Sequence, residues 1–342
     1  MKFGIFDHMD RGPLPLGEQY ENRLKLIEAY EQSGFYCYHV AEHHATPLGM
    51  ASSPSVFLAA VAERTTRLKF GPLVYTLPMY HPLRVAEEIG MLDQLSNGRL
   101  QVGVGRGISP HELKHYGVDP AEAQARYLEA FAIVMQALTE KRVTFEGKFY
   151  TFRDVPIEIE PLQRPHPPLW YGVGNIEAVG WTARNAVNVV CNVPASRAGE
   201  IAARYRAEWS AAGNDPAALP LIGFNRHVVV AHSTEEATAI ARRAYQVWHT
   251  SFFALWRRHG TKPSYALYPE TFDELEAMGL GVAGSPEKVR DVLCAQVAEA
   301  RTNYLVSRLA FGDLSLAESL RSVELYAASV MPALIAVREA AE

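Results

Sequence analysis

Short runs of β-branched and aromatic residues alternate along the chain with longer segments of helical period. Residues 2–7 predict a first strand. Tyr20, Leu24, Ile27 and Tyr30 then recur at the spacing of one helix face, and Gly34 marks its stop. Residues 36–41 predict the next strand, with a helix from about Pro54, whose fixed φ suits a first turn. The same pairing recurs at 68–75 with 82–95, and at 99–104 with a helix that Asp119, Pro120 and Glu122 start in capping-box order. Residues 143–152 predict a small hairpin around Glu146-Gly147-Lys148, and 156–168 an extended proline-rich connection. Alternation resumes with strands at 169–173, 187–193, 221–231 and 304–311, each followed by a helix. Residues 259–283 show no clean period and predict a long irregular excursion.

About eight strand–helix units, with no linker to divide residues 1–342, predict a parallel sheet. Eight favour closure into an α/β barrel of the (β/α)8 TIM type, with insertions, over an open doubly wound sheet. In such a barrel the active site lies at the carboxyl ends of the strands.

Composition narrows the reading. A hydrophobic share of 48% against 21% charged residues describes a folded domain. With 33 Lys+Arg against 38 Asp+Glu, the net charge of -5 disfavours a nucleic-acid surface. The longest uninterrupted apolar stretch, near 56–62, is far short of a membrane span. Three scattered cysteines, Cys37, Cys191 and Cys294, suit neither a disulfide framework nor a thiolate zinc site, and the expectation is a cytoplasmic protein.

Candidate chemistry collects at the predicted strand ends. Glu42-His43-His44 follows the second strand; neighbouring residues point to opposite sides, so at most one histidine faces the barrel mouth, as a proton donor or acceptor. Gly103-Val104-Gly105-Arg106-Gly107 follows the fourth, but Ile108 stands where a dinucleotide fingerprint needs its third glycine. Arg106 remains a phosphate ligand or a solvated turn residue. Gly174-Asn175 opens a helix after the fifth strand, as an anion site or an ordinary cap. His111-Glu112-Leu113-Lys114-His115 has the order of a zinc-peptidase helix. Pro110 and Gly117 confine it to about two turns, and Val118 replaces the glycine of the longer form, so no metal is assigned. Trp248, with Phe252, Phe253 and Trp256, either lines an apolar pocket or packs a helix on the barrel.

Several motifs, in order along nearly the whole chain, resemble the bacterial luciferase-like monooxygenase family. They are Phe3-Gly4, Ala41-Glu42-His43-His44, Leu77-Pro78 with His81-Pro82, residues 92–99, Gly103 to Gly107, and Val330-Met331-Pro332. The resemblance implies a barrel, often dimeric, that takes reduced FMN from a separate flavin reductase. Oxygen then adds to the flavin and oxidises a small organic substrate. It places His43 at the proton-handling position, Arg106 and Arg126 at the phosphate, and Gly174 and Asn175 in the phosphate loop. Leu73-Val74-Tyr75 falls on a bulge behind the flavin ring, where members often carry a non-prolyl cis peptide. Apart from the resemblance, His44 and Trp248 are the candidates for a substrate pocket. One departure is Gly105, where bacterial luciferase has a reactive cysteine; residues 259–283 do not align. Two alternatives on the same fold are an F420 (deazaflavin)-dependent dehydrogenase or reductase, and a non-catalytic flavin-binding subunit.

Overall fold

The computed structural model describes residues 1–263 and 268–339. Strands buried on both faces need nearly continuous apolar sequence, and the barrel forms where the chain supplies it. In chain order the strands are β1 (Lys2–Asp7), β2 (Cys37–Val40), β3 (Lys69–Pro72), β4 (Tyr75–Thr76), β5 (Val102–Gly105), β6 (Arg142–Glu146), β7 (Thr151–Pro156), β8 (Leu169–Gly172), β9 (Asn188–Cys191), β10 (Ile222–Val230), β11 (Gly281–Gly284) and β12 (Tyr304–Arg308). All nine residues of β10 are buried.

The parallel sheet runs β3-β2-β1-β12-β10-β9-β8-β5-β4, with β11 on the far half of β10. A bridge between Phe70 and Leu100 joins the β3 edge to the residues entering β5 and nearly closes the ring. β6 and β7 form a separate antiparallel hairpin where one is expected. The architecture is a nearly closed parallel α/β barrel of the TIM type.

Three expectations need correction. The strand expected over 68–75 is two pieces, β3 and β4, interrupted at a cis Leu73–Val74 bond. Asp119 does not cap the following helix. Its carboxylate accepts from the Ala121 amide at 2.9 Å and its carbonyl from Glu122 at 3.0 Å, closing a turn that delays the helix to Ala123–Thr139. The excursion expected over 259–283 contains a helix, Phe272–Ala277, with a Thr271–Glu274 capping box, and the strand β11. A six-residue helix and a four-residue strand flanked by glycines are too short to show a period. Residues 264–267 of that segment lie outside the described residues.

One further feature escaped a search for uninterrupted apolar runs. Leu316–Glu339 is a continuous helical stretch of 24 residues, long and apolar enough to cross a bilayer by length and composition. Here it lies on the barrel, packed on the helices Leu16–Gln32 and Pro286–Ala300, with Val330 and Leu334 fully buried.

Candidate active site at the carboxyl ends of the strands

A cavity of about 450 Å³ opens where the strands end. His8 follows β1, His43 follows β2, Leu73 and Val74 follow β3, Arg106 follows β5, Gly174 follows β8 and Arg308 ends β12; all line it. His43 and Arg106, 63 positions apart in sequence, therefore share one rim.

The three-glycine run after Val102 is explained by a close approach within the protein. A Cβ on Gly103 would stand 2.3 Å from the Pro72 carbonyl oxygen, and one on Gly105 2.5 Å from Val74 Cγ2. Gly107 has φ +85°, and a Cβ there would meet Thr76 Cγ2 at 2.6 Å. The glycines thus let the Leu73–Val74 bulge settle onto β5. A cysteine at 105 would collide with Val74.

Glu42 and Glu112 hold the two histidines in different roles. His44 has both ring nitrogens engaged: Nε2 with Glu42 Oε1 at 2.9 Å and Nδ1 with the Tyr116 hydroxyl at 2.7 Å. Glu42 also accepts from Tyr80 Oη at 2.8 Å and the Thr76 amide at 3.3 Å, tying the exit of β2 to β4. His44 does not line the cavity. His43 does, and its Nδ1 lies 3.1 Å from Glu112 Oε1. The same carboxylate oxygen accepts from the His44 amide at 3.1 Å. A carboxylate on Nδ1 sets the tautomer and leaves Nε2 as the lone-pair nitrogen. His8 stacks on His43 with centroids 5.5 Å apart, and burial, with the fields of Arg308, His43 and His227, holds its pKa well below the usual histidine range.

Glu112 belongs to the zinc-like pentad, and its neighbours go elsewhere. Pro110–His115 is one short helix. His111 stacks on His259 at 4.1 Å and bonds Thr261 Oγ1 at 2.9 Å, so the three polar members of the motif do not converge. The motif marked a site residue, but as a partner of histidine.

The anion-binding candidates are placed as follows. Arg106 is exposed at the cavity wall and makes no protein hydrogen bond or ion pair among the described residues. Gly172 and Gly174 face open space on the side where a Cβ would stand. Arg126 lies outside the lining, 4.5 Å over the Phe149 ring, and its Nε is buried without an acceptor. Asn175 is also outside. It caps the next turn, its Oδ1 accepting from the Glu177 amide at 3.2 Å. Tyr75 is fully buried behind the bulge, its hydroxyl 2.8 Å from Ser55 Oγ.

Trp248 packs rather than lines. It is fully buried; its Nε1 donates to His8 Nδ1 at 3.3 Å and its ring packs on Phe252 and Tyr268, so it stands behind residues that line the cavity. Its neighbour Phe252 reaches the cavity instead. Cys191 lines it too, but burial pushes its thiol up to about 12, which leaves it unreactive. His8, Asn225 and Arg308 were not singled out from sequence. The last two are distant from the motifs, and only the barrel brings them to the rim.

Comparisons with known proteins agree with this geometry. The family model described as luciferase-like monooxygenase matches residues 1–303. The protein y4wF of Sinorhizobium fredii is 42% identical over 94% of this chain and 93% of its own. The oxygenase component of the flavin-dependent trigonelline monooxygenase of Acinetobacter baylyi is 26% identical over 80% of this chain and 77% of its own. Among solved structures, the monooxygenase RslO1 from Streptomyces bottropensis superposes with TM-score 0.84 and 26% identity, covering 97% of this chain and 99% of its own. Two more distant neighbours show the fold alone. They are the oxygenating constituent of 3,6-diketocamphane monooxygenase from Pseudomonas putida in complex with FMN (TM-score 0.78, 20% identity, 97% of this chain and 98% of its own) and the coenzyme F420-dependent tetrahydromethanopterin reductase of Methanopyrus kandleri (0.68, 19%, 97% and 98%).

Proposed function

The chain belongs to the luciferase-like monooxygenase family, and from that premise we propose that it is the oxygenase of a two-component system, using reduced FMN from a separate flavin reductase and dioxygen to oxidise a small organic substrate. The observation that carries this reading is the joint placement of the His43–Glu112 pair, the Leu73–Val74 bulge and the unpaired Arg106 on one cavity. The oxygenase component from Acinetobacter supports the two-component arrangement by similarity.

The residues present fit the cofactor. Arg106 offers a forked cation without a protein partner, and the open ground around Gly172 and Gly174 admits a phosphate to backbone amides. Arg126, outside the lining but with a buried Nε that has no acceptor, is the second candidate cation for that phosphate. Bound there, reduced FMN supplies the electrons that activate dioxygen. The chain does the rest. Phe6, Val173, Val193 and Phe252 present apolar surface that excludes water. His43 Nε2 takes or returns a proton, while Glu112 fixes the ring and stabilises its charged form.

We extend the proposal to a homodimer in the cytoplasm. Val56 on the helix Pro54–Arg64 and Met91 and Leu95 on the adjoining helix Pro82–Leu95 are exposed and apolar, an arrangement that suits burial against a second copy. The three free thiols suit a reducing compartment. FMN titration tests the cofactor, and oxygen uptake with a flavin reductase tests the chemistry. An FMN dissociation constant beyond high micromolar refutes the reading. Binding of F420 with no oxygen uptake replaces it by the deazaflavin alternative, and FMN binding with no turnover by a non-catalytic subunit.

A further inference from the structure

The cavity wall holds a positive charge that no described residue neutralises. Arg308 is 3% exposed and lines the cavity. Its guanidinium lies 4.9 Å from the Phe6 centroid, 5.3 Å from Trp248 and 5.5 Å from Tyr268. Both of its polar partners are uncharged. Nη1 donates to His227 Nε2 at 3.1 Å and Nη2 to the Tyr268 hydroxyl at 3.0 Å, while Nε finds no acceptor. Among the described residues no carboxylate pairs with it. His227 and His8 are both held neutral, by burial first and then by the field of Arg308 itself.

A second orphan stands on the neighbouring strand. Asn225 is 4% exposed and lines the same cavity, and its Oδ1 has no donor. His227 pairs with Arg308 and Asn225 with Val306, so Asn225 lies two residues from the Arg308 rung, on the same face of β10 as His227. A buried cation without an anion is costly, and so is a buried acceptor without a donor. Both costs fall in the same cavity at the strand ends. The phosphate of the cofactor has its own cation in Arg106, so Arg308 is free for something else.

We propose that the organic substrate is a planar, aromatic-type molecule bearing an anionic oxygen group, a carboxylate or an ionised phenol, which seats on the Arg308 guanidinium while a donor on the same molecule reaches Asn225 Oδ1. Phe6, Phe252 and Tyr268 supply the ring surfaces. This rests on the flavin-dependent reading above and narrows its substrate class.

The test is calorimetric titration of the full chain, with and without FMN, using two probe pairs of matched shape: benzoate against benzamide, and 4-nitrophenolate against nitrobenzene. In at least one pair the anion binds tenfold or more tightly than its neutral analogue, and the pair that discriminates identifies carboxylate or phenolate. Arg308→Gln reduces that ratio to within twofold, Arg308→Lys retains most of it, and both variants bind FMN as the parent does, which also certifies their fold. Equal affinity within both pairs, no anion binding, or discrimination that survives Arg308→Gln overturns the proposal. A tenfold loss of FMN affinity in Arg308→Gln also overturns it, by assigning the charge to the cofactor. If the parent fails to bind FMN yet discriminates between the probes, the flavin reading falls and the anion site stands.

Discussion

Gly105→Ala is the sharpest perturbation of the bulge. The new Cβ would stand 2.5 Å from Val74 Cγ2, 3.4 Å from Val74 Cβ and 3.7 Å from Val74 Cγ1. Ordinary carbon contacts sit near 3.5–4.0 Å, so about 1 Å of movement is demanded, all by one methyl group. Overpacking of this kind costs about 1–3 kcal/mol. With an unfolding entropy of roughly 2.1 cal/mol/K per residue, a chain of 342 residues loses about 3 °C in Tm for 2 kcal/mol. Removing both Val74 methyls relieves the clash, because the remaining approach to Val74 Cβ is at contact distance. Val74→Ala alone costs about 1 kcal/mol for the lost burial, and adding Gly105→Ala to it should cost almost nothing more. The double-mutant cycle, read by thermal unfolding, therefore shows a coupling of about 1–2 kcal/mol. Strict additivity of the two substitutions refutes the claim that these glycines exist to admit the bulge. A Gly105→Ala variant as stable as the parent refutes the contact itself.

Arg106→Ala should weaken FMN binding about 10- to 100-fold in a fluorescence titration, as loss of a charge-assisted phosphate contact does; an unchanged affinity removes Arg106 from the site. His43→Ala should leave FMN affinity within a few fold and lower turnover by roughly 10²–10⁴. Glu112→Gln should lower kcat less than His43→Ala does, because the ring loses the carboxylate that fixes its tautomer and orientation; an unchanged kcat denies the pairing. Asp10 tests linkage away from the cavity. Burial pushes its carboxyl up to about 7 from 3.8, so the folded chain keeps a proton that the unfolded chain releases. Stability should therefore fall as pH rises from about 4 to about 7, by on the order of 3–4 kcal/mol from this group, and Asp10→Asn should flatten that slope in urea melts. A variant with the parent's slope would rule Asp10 out as its source.

The barrel was legible because a strand buried on both faces and a helix buried on one leave different periods, and both repeat. Where an element is shorter than its period the signal vanishes, as with β11 and the helix Phe272–Ala277. The site was legible only where several of its residues are neighbours in sequence. His43 and Arg106 sit in compact motifs at strand ends, and both line the cavity. His44, adjacent to His43, illustrates the limit: alternation said one of the pair turns away, but not which, and the choice is made by Glu42 and Tyr116. Glu112 had a signal that pointed to the wrong chemistry. Three polar residues on one short helix suggest a shared metal, yet a carboxylate serves equally well as the partner of a histidine on another strand. Arg308 had no signal at all. What sets it apart is that no carboxylate among the described residues pairs with it, and such an absence is a property of packed space that no spacing along a chain can carry. Residues that act by contact with sequence neighbours can be read from the chain, whereas those that act by being left unpaired become visible only once every other partner has a position.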